Sequence, residues 1–151
     1  MTNRILVPID LNHESTFDSI FAATSECADP KTAEIILLTI VPQLNLGYFA
    51  SIEHRYMQKI VTETQLRLEA LGHDRVDNTY NWQAQVKIGD PKKRIVKTAA
   101  EQDVRLIIMA SHDPHKSDII FGSVAAYVVR HAHQSVLVVR QHPGVANTPE
   151  T

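Results

Sequence analysis

Short continuous apolar runs alternate along this chain with longer stretches in which apolar positions return every three or four residues. The first run, RILVPI at residues 4–9, is rich in β-branched side chains and is stopped by Pro8 and Asp10, which predicts a strand. Phe17, Ile20, Phe21 and Thr24 then recur at helical spacing. A second run, AEIILLTIV at 33–41, shows no alternation, the pattern of a strand covered on both faces. Beyond a loop around PQLNLG, the positions Phe49, Ile52, Tyr56, Ile60, Leu68 and Leu71 mark a long amphipathic helix that Gly72 is expected to close. NWQAQVKI at 81–88 does alternate, with Trp82, Ala84, Val86 and Ile88 on one side, and reads as a half-covered edge strand.

The sharpest helix start follows, with Asp90 at the N-cap and Pro91 at the first helical position, where its missing N–H costs nothing. RLIIMAS at 105–111 is a third uninterrupted apolar strand. After the polar loop SHDPHKSDIIF a helix runs from residue 122 to about 133, and SVLVVR at 135–140 is the last strand. The closing QHPGVANTPET has no period and little to bury, so a domain over 1–141 followed by a disordered tail at 142–151 is expected.

Strand and helix alternate without consecutive hairpins, which predicts a three-layer, doubly wound α/β fold: a five-stranded parallel sheet, Rossmann-like, with helices on both faces. The three apolar runs should be its central strands. Ligands of such sheets bind beyond the carboxyl ends of the strands, where the strand order reverses. Three segments lie at that edge: PID after the first strand, IVP after the second, and ASHDPHKSDIIFGS after the fourth.

Composition narrows the function classes. With 151 residues and 44% hydrophobic content the chain is about one domain with a single core region. A net charge of −2 attracts neither nucleic acid nor a membrane surface to the protein as a whole. No apolar run approaches the roughly 20 residues that cross a bilayer, and a single cysteine forms no disulfide framework, so a cytoplasmic location is expected. Cys27 reads as a small core residue rather than a nucleophile.

The loop before Gly122 carries the candidate chemistry. A strand, a loop and a Gly-Ser helix start leave free backbone N–H groups pointing at an anion, and phosphate is the obvious one. The same residues also make an ordinary helix cap. Asp113 and Asp118 would repel a phosphate, whereas His115 and Lys116 would attract it. His112, Asp113, His115 and Asp118 are metal-binding types, as are His131 and His133 on the following helix, but the spacing matches no closed site and solvated histidines are the expectation. Asp10 with Asp113 could instead hold a magnesium that arrives with a nucleotide. Lys92, Lys93, Arg94 and Lys97 read as a solvated helix face rather than a nucleic-acid patch. No nucleophile is paired with a base, so no enzyme is expected beyond slow hydrolysis by a metal-bound water at most.

The order and spacing of VPID at 7–10, LLTIV at 37–41, MASH through FGSVA, and SVLVVR at the end resemble the universal stress protein family over residues 3–140. The resemblance implies the adenine nucleotide alpha hydrolase-like fold, ATP, AMP or ADP as ligand, with magnesium where Asp10 and Asp113 allow it, and a homodimer formed by pairing the strand at 135–140. The family's glycine motif runs Gly, two residues, Gly, about nine residues, then Gly-Ser or Gly-Thr. Here Ala110 and Asp113 replace its first two glycines, the spacer to Gly122 is one residue shorter, and Ala125 stands where a hydroxyl residue is common. SHDP at 111–114 is similar to a branch with a short SH-x-P loop that is taken to bind ATP and carries a basic residue in place of Asp113. Pro8, Ile9 and Asp10 would then flank sugar and base, and the Ile40 backbone would meet the adenine edge. The backbone of Ala110, Ser111 and His112 with Gly122 and Ser123 would hold the phosphates, and Met109 and Val124 would complete the nucleotide-binding set.

Three function classes follow: a nucleotide-binding regulatory module of the stress response, a nucleotide-free dimeric interaction protein of the same fold, and a flavin-type electron carrier. The last lacks ring-stacking residues at the strand edge, where only Tyr48, Phe49 and Phe121 are near.

Overall fold

The computed structural model describes residues 2–45, 47–111 and 122–140. Its elements run β1 (Arg4–Pro8), a 3₁₀ turn (Glu14–Thr16), α1 (Phe17–Cys27), β2 (Glu34–Val41), α2 (Ala50–Arg75), β3 (Asn81–Ile88), α3 (Pro91–Glu101), β4 (Leu106–Ala110), α4 (Ser123–His131) and β5 (Ser135–Val139). All strand pairs are parallel and the sheet order is β3-β2-β1-β4-β5. The three continuously apolar runs are the central strands, and the alternating strand β3 lies at an edge.

Side chains of a strand alternate between faces, and the core divides accordingly. Ile5, Val7, Ile35, Leu37 and Ile108 pack with α1 and α2, where Ile20, Phe21 and Leu68 are buried. Leu6, Ile36, Leu38, Ile107 and Met109 pack on the other face with Ile95 and Ala99 of α3 and Ala125 and Val128 of α4. Each of the larger side chains contributes about 1.5–3 kcal/mol by leaving water. The four α1 positions selected by spacing, Phe17, Ile20, Phe21 and Thr24, are the buried residues of that helix.

Helix α2 departs from expectation at both ends. Gly72 does not close it, because the helix continues to Arg75. Gly72 is instead a contact residue: a Cβ there would meet the Trp82 ring of β3 at 2.3 Å, so only a glycine lets helix and strand approach. At the other end Phe49, Ile52 and Tyr56 are 61%, 57% and 51% exposed. A helix of 26 residues is longer than the strands beneath it, and its first turns extend past the sheet. Helix α4 likewise stops at His131, with Ala132 as C-cap, so His133 is not helical and the His131 ring bonds back to the Tyr127 carbonyl at 2.9 Å.

The amino-terminal edge of the sheet is tied by a polar chain. Arg4 Nε donates to Glu34 Oε2 at 2.7 Å, and Gln83 donates to Glu34 Oε1 at 2.6 Å. Gln85 donates to Gln83, and Gln85 and Gln102 exchange amide hydrogen bonds. Arg4 Nη1 closes the circuit on the Gln102 carbonyl at 3.1 Å. The Arg4 hydrogen bond holds the Glu34 carboxyl below its ordinary range, against the opposing effect of burial.

Candidate functional site

At the opposite edge the sheet opens. The chain turns from one side of β1 to the other between β3 and β4, so the reversal of strand order falls between β1 and β4. Those two strands are in register only at Ile5–Leu106 and Leu6–Ile107, whereas β1 and β2 stay paired to Pro8. Pro8 helps explain the difference. The Ile9 N–H reaches across to the Leu38 carbonyl of β2 at 2.8 Å, so the N–H of its neighbour would have pointed toward β4, and proline has none. The Thr39 hydroxyl donates to the Ile9 carbonyl at 2.9 Å and keeps β1 on β2 as β4 departs.

The divergence opens a cavity of about 580 Å³, a size suited to a small-molecule ligand. Pro8, Ile9 and Asp10 form one wall, Ile40 with Thr39 and Val41 a second, and Met109 with Ala110 a third. Gly122, Ser123 and Val124 line the cavity where α4 begins. Nine of the sequence-selected site residues therefore surround one space. Ser111 is not among its lining residues, and its N–H donates to the Val139 carbonyl at 2.8 Å, extending the β4–β5 ladder. His112, and with it Asp113, His115, Lys116 and Asp118, lies outside the described residues, as do Phe121 and the tail at 142–151.

Two helices begin at this edge with opposite chemistry. Asp90 caps α3: its carboxylate accepts from the Lys92 N–H at 3.2 Å. Gly122 stands at the same position of α4 and has no side chain to offer. The first helical bond of α4 runs from the Ala126 N–H to the Gly122 carbonyl at 3.0 Å. Among the described residues, nothing accepts from the Ser123, Val124 and Ala125 amides ahead of it. Three donors and the positive end of the helix dipole thus meet the cavity.

Asp10 is more engaged than its position in VPID suggests. Its carboxylate accepts from the Asn12 N–H at 3.0 Å and pairs with His13 Nδ1 at 2.7 Å. Leu11, Asn12 and His13 line the cavity with it. Ile60, Thr64 and Arg67 of α2 add a wall that inspection of the loops missed, as do Pro91 and Ile95 of α3. Arg67 Nη2 donates to the Leu11 carbonyl at 3.4 Å. The spacing of Ile60, Thr64 and Arg67 places them on one helix face, but nothing local says which loop that face will meet. Among the described residues no group of three or more His, Cys, Asp or Glu converges as a metal site, and no helix is long and apolar enough to cross a membrane.

The profile of the Universal stress protein family matches residues 1–140. Universal stress protein G of Salmonella typhimurium is 27% identical over 144 residues, spanning 93% of this chain and 100% of that protein. The solved structure of MJ0577, a universal stress protein of Methanocaldococcus jannaschii, superposes with a TM-score of 0.80 at 26% identity, covering 94% of this chain and 98% of that one. A universal stress protein family protein from Arabidopsis thaliana, solved with AMP bound, shares the fold at a TM-score of 0.62 and 15% identity, with 97% of each chain covered.

Proposed function

The chain belongs to the Universal stress protein family, and from that premise we propose that it is a cytoplasmic, homodimeric regulatory module that binds an adenine nucleotide. The observation that carries this reading is the start of α4, whose first amides have no acceptor among the described residues and line a ligand-sized cavity at the reversal of strand order. The AMP held by the Arabidopsis relative supports the same ligand class. Phosphates would be held by the Gly122, Ser123 and Val124 end of α4. Pro8, Ile9 and Asp10 would flank the sugar and base, the Ile40 backbone would meet the adenine edge, and Met109 and Ala110 would form the facing wall. The Ser111 amide, committed to Val139, adds no donor. A magnesium arriving with ATP would compete with the Asn12 amide and the His13 ring for the Asp10 carboxylate. The dimer would pair β5 with its own copy: the strand lies at a sheet edge and leaves Leu137 37% exposed.

Bound ligand would shift which partners the dimer meets, with at most slow hydrolysis. A nucleotide-free interaction protein of the same fold is the second reading, favoured by the loss of the Ser111 donor and by Ala110 at a position the family gives to glycine. One experiment separates the two. Protein purified without added nucleotide is denatured and its released small molecules weighed by mass spectrometry, followed by thermal shift with AMP and ATP. Released adenylate, or a melting point raised by several degrees, supports nucleotide binding. An empty extract and unchanged melting would leave the second reading standing.

A further inference from the structure

We propose that Lys92 recognises phosphates beyond the first, so that this cavity prefers ATP to AMP; the inference rests on the nucleotide reading above. Lys92 follows Pro91, which lines the cavity, and its ammonium sits 5.7 Å from the centroid of the Tyr127 ring. Tyr127 lies one turn after Ser123 on α4. Side chains on a helix slant toward its amino terminus, so the ring covers the turn that begins at Ser123. Neither Lys92 nor Tyr127 lines the cavity, but the ring holds the ammonium beside the first turns of α4, one residue from Pro91 at the cavity wall. Tyr127 is itself fixed by stacking on His131 at 4.0 Å, which makes the ring a defined rest for the cation.

The other cations of α3 are placed differently: the Arg94 Nε is buried without a hydrogen-bond partner among the described residues. Arg94 packs its stem over Gly89, and Lys97 pairs with Glu101 at 3.6 Å. On the α3–α4 side Lys92, Lys93, Arg94, Lys97 and Arg130 outnumber the acids Glu101 and the capping Asp90, while Asp10 and Arg67 line the cavity from the other side. Three amides at a helix start suit a single phosphate, and a longer phosphate chain needs further positive charge near it. A cation resting on a partly exposed aromatic face is held weakly and can exchange the ring for a phosphate oxygen.

The test is calorimetric titration of the full chain and its Lys92→Met and Lys92→Arg variants with AMP and with ATP, in chelator to remove divalent cations. Melting curves of the unliganded variants check that each is folded. Lys92→Met should weaken ATP about tenfold while leaving AMP unchanged, and Lys92→Arg should keep the preference. Equal losses for AMP and ATP, or no loss for either, would overturn the assignment of Lys92 to the distal phosphates. Wild-type protein that binds neither nucleotide would overturn the nucleotide reading itself and this inference with it, an outcome visible before any variant is made.

Discussion

Helices α3 and α4 begin at the same edge of the sheet and pack on the same face, yet one start is closed and the other open. Asp90 occupies the cap of α3 with a carboxylate bonded to the Lys92 amide, and Pro91 removes a further donor. Gly122 at the cap of α4 leaves three amides without an acceptor among the described residues. A cap of Asp, Ser or Thr type would favour α4 by only a few tenths of a kcal/mol over glycine, so the open end is inexpensive to maintain. On the nucleotide reading it also leaves the donors to a ligand. The difference teaches that stability and binding compete for the same backbone groups at a helix start. On the nucleotide reading, this chain resolves the competition oppositely one helix apart.

The comparison can be broken most severely by giving α4 the cap of α3. Gly122→Asp should weaken AMP and ATP by at least roughly thirtyfold, since the carboxylate takes the amides and repels phosphate, while the melting point holds or rises slightly. Calorimetry beside a thermal melt reads both quantities. The converse change, Asp90→Ala, should cost about 1 kcal/mol of stability in chemical denaturation with nucleotide affinity unaltered. Ser123→Ala tests how much the hydroxyl adds to the amides. A loss of roughly threefold to fivefold in affinity, with no change in melting, is the expected result.

The smallest effect comes from the far edge of the sheet and serves as a control. Glu34 titrates below its ordinary 4.5, mainly through the Arg4 hydrogen bond, so its contribution to stability is full above that value and fades as pH falls through the folded one. Below about pH 4.5 the wild type should therefore lose stability more steeply than Glu34→Gln in urea melts. Nucleotide affinity near neutral pH should be the same in both.

Much of this could be read along the chain, and the failures share a cause. The buried stripe of α1, the cap of α3, the three central strands and the half-covered edge strand β3 each follow from neighbours in sequence, and each appears where the pattern puts it. Gly72 misled because a glycine near the end of an apolar stripe usually stops a helix, whereas here a tryptophan on β3 needs the room. Phe49, Ile52 and Tyr56 misled because periodicity marks a face without saying whether anything lies under it. The loop signals identified Pro8, Asp10 and Gly122. They could not identify Thr64, Arg67 or Pro91, whose place in the cavity depends on how far α2 and α3 stand from the strand ends.

By itself the sequence determined the element order, the parallel sheet with covered faces, the edge at which a ligand would sit, and the family. These are properties of residues close together, set by which side chains avoid water and which close a helix end. Only the tertiary structure decided that β1 and β4 separate after two registered pairs, that the Ser111 amide is spent on Val139, and that α2 supplies a wall. Such facts depend on segments far apart in the chain competing for the same space and the same hydrogen bonds, and no single segment encodes the outcome.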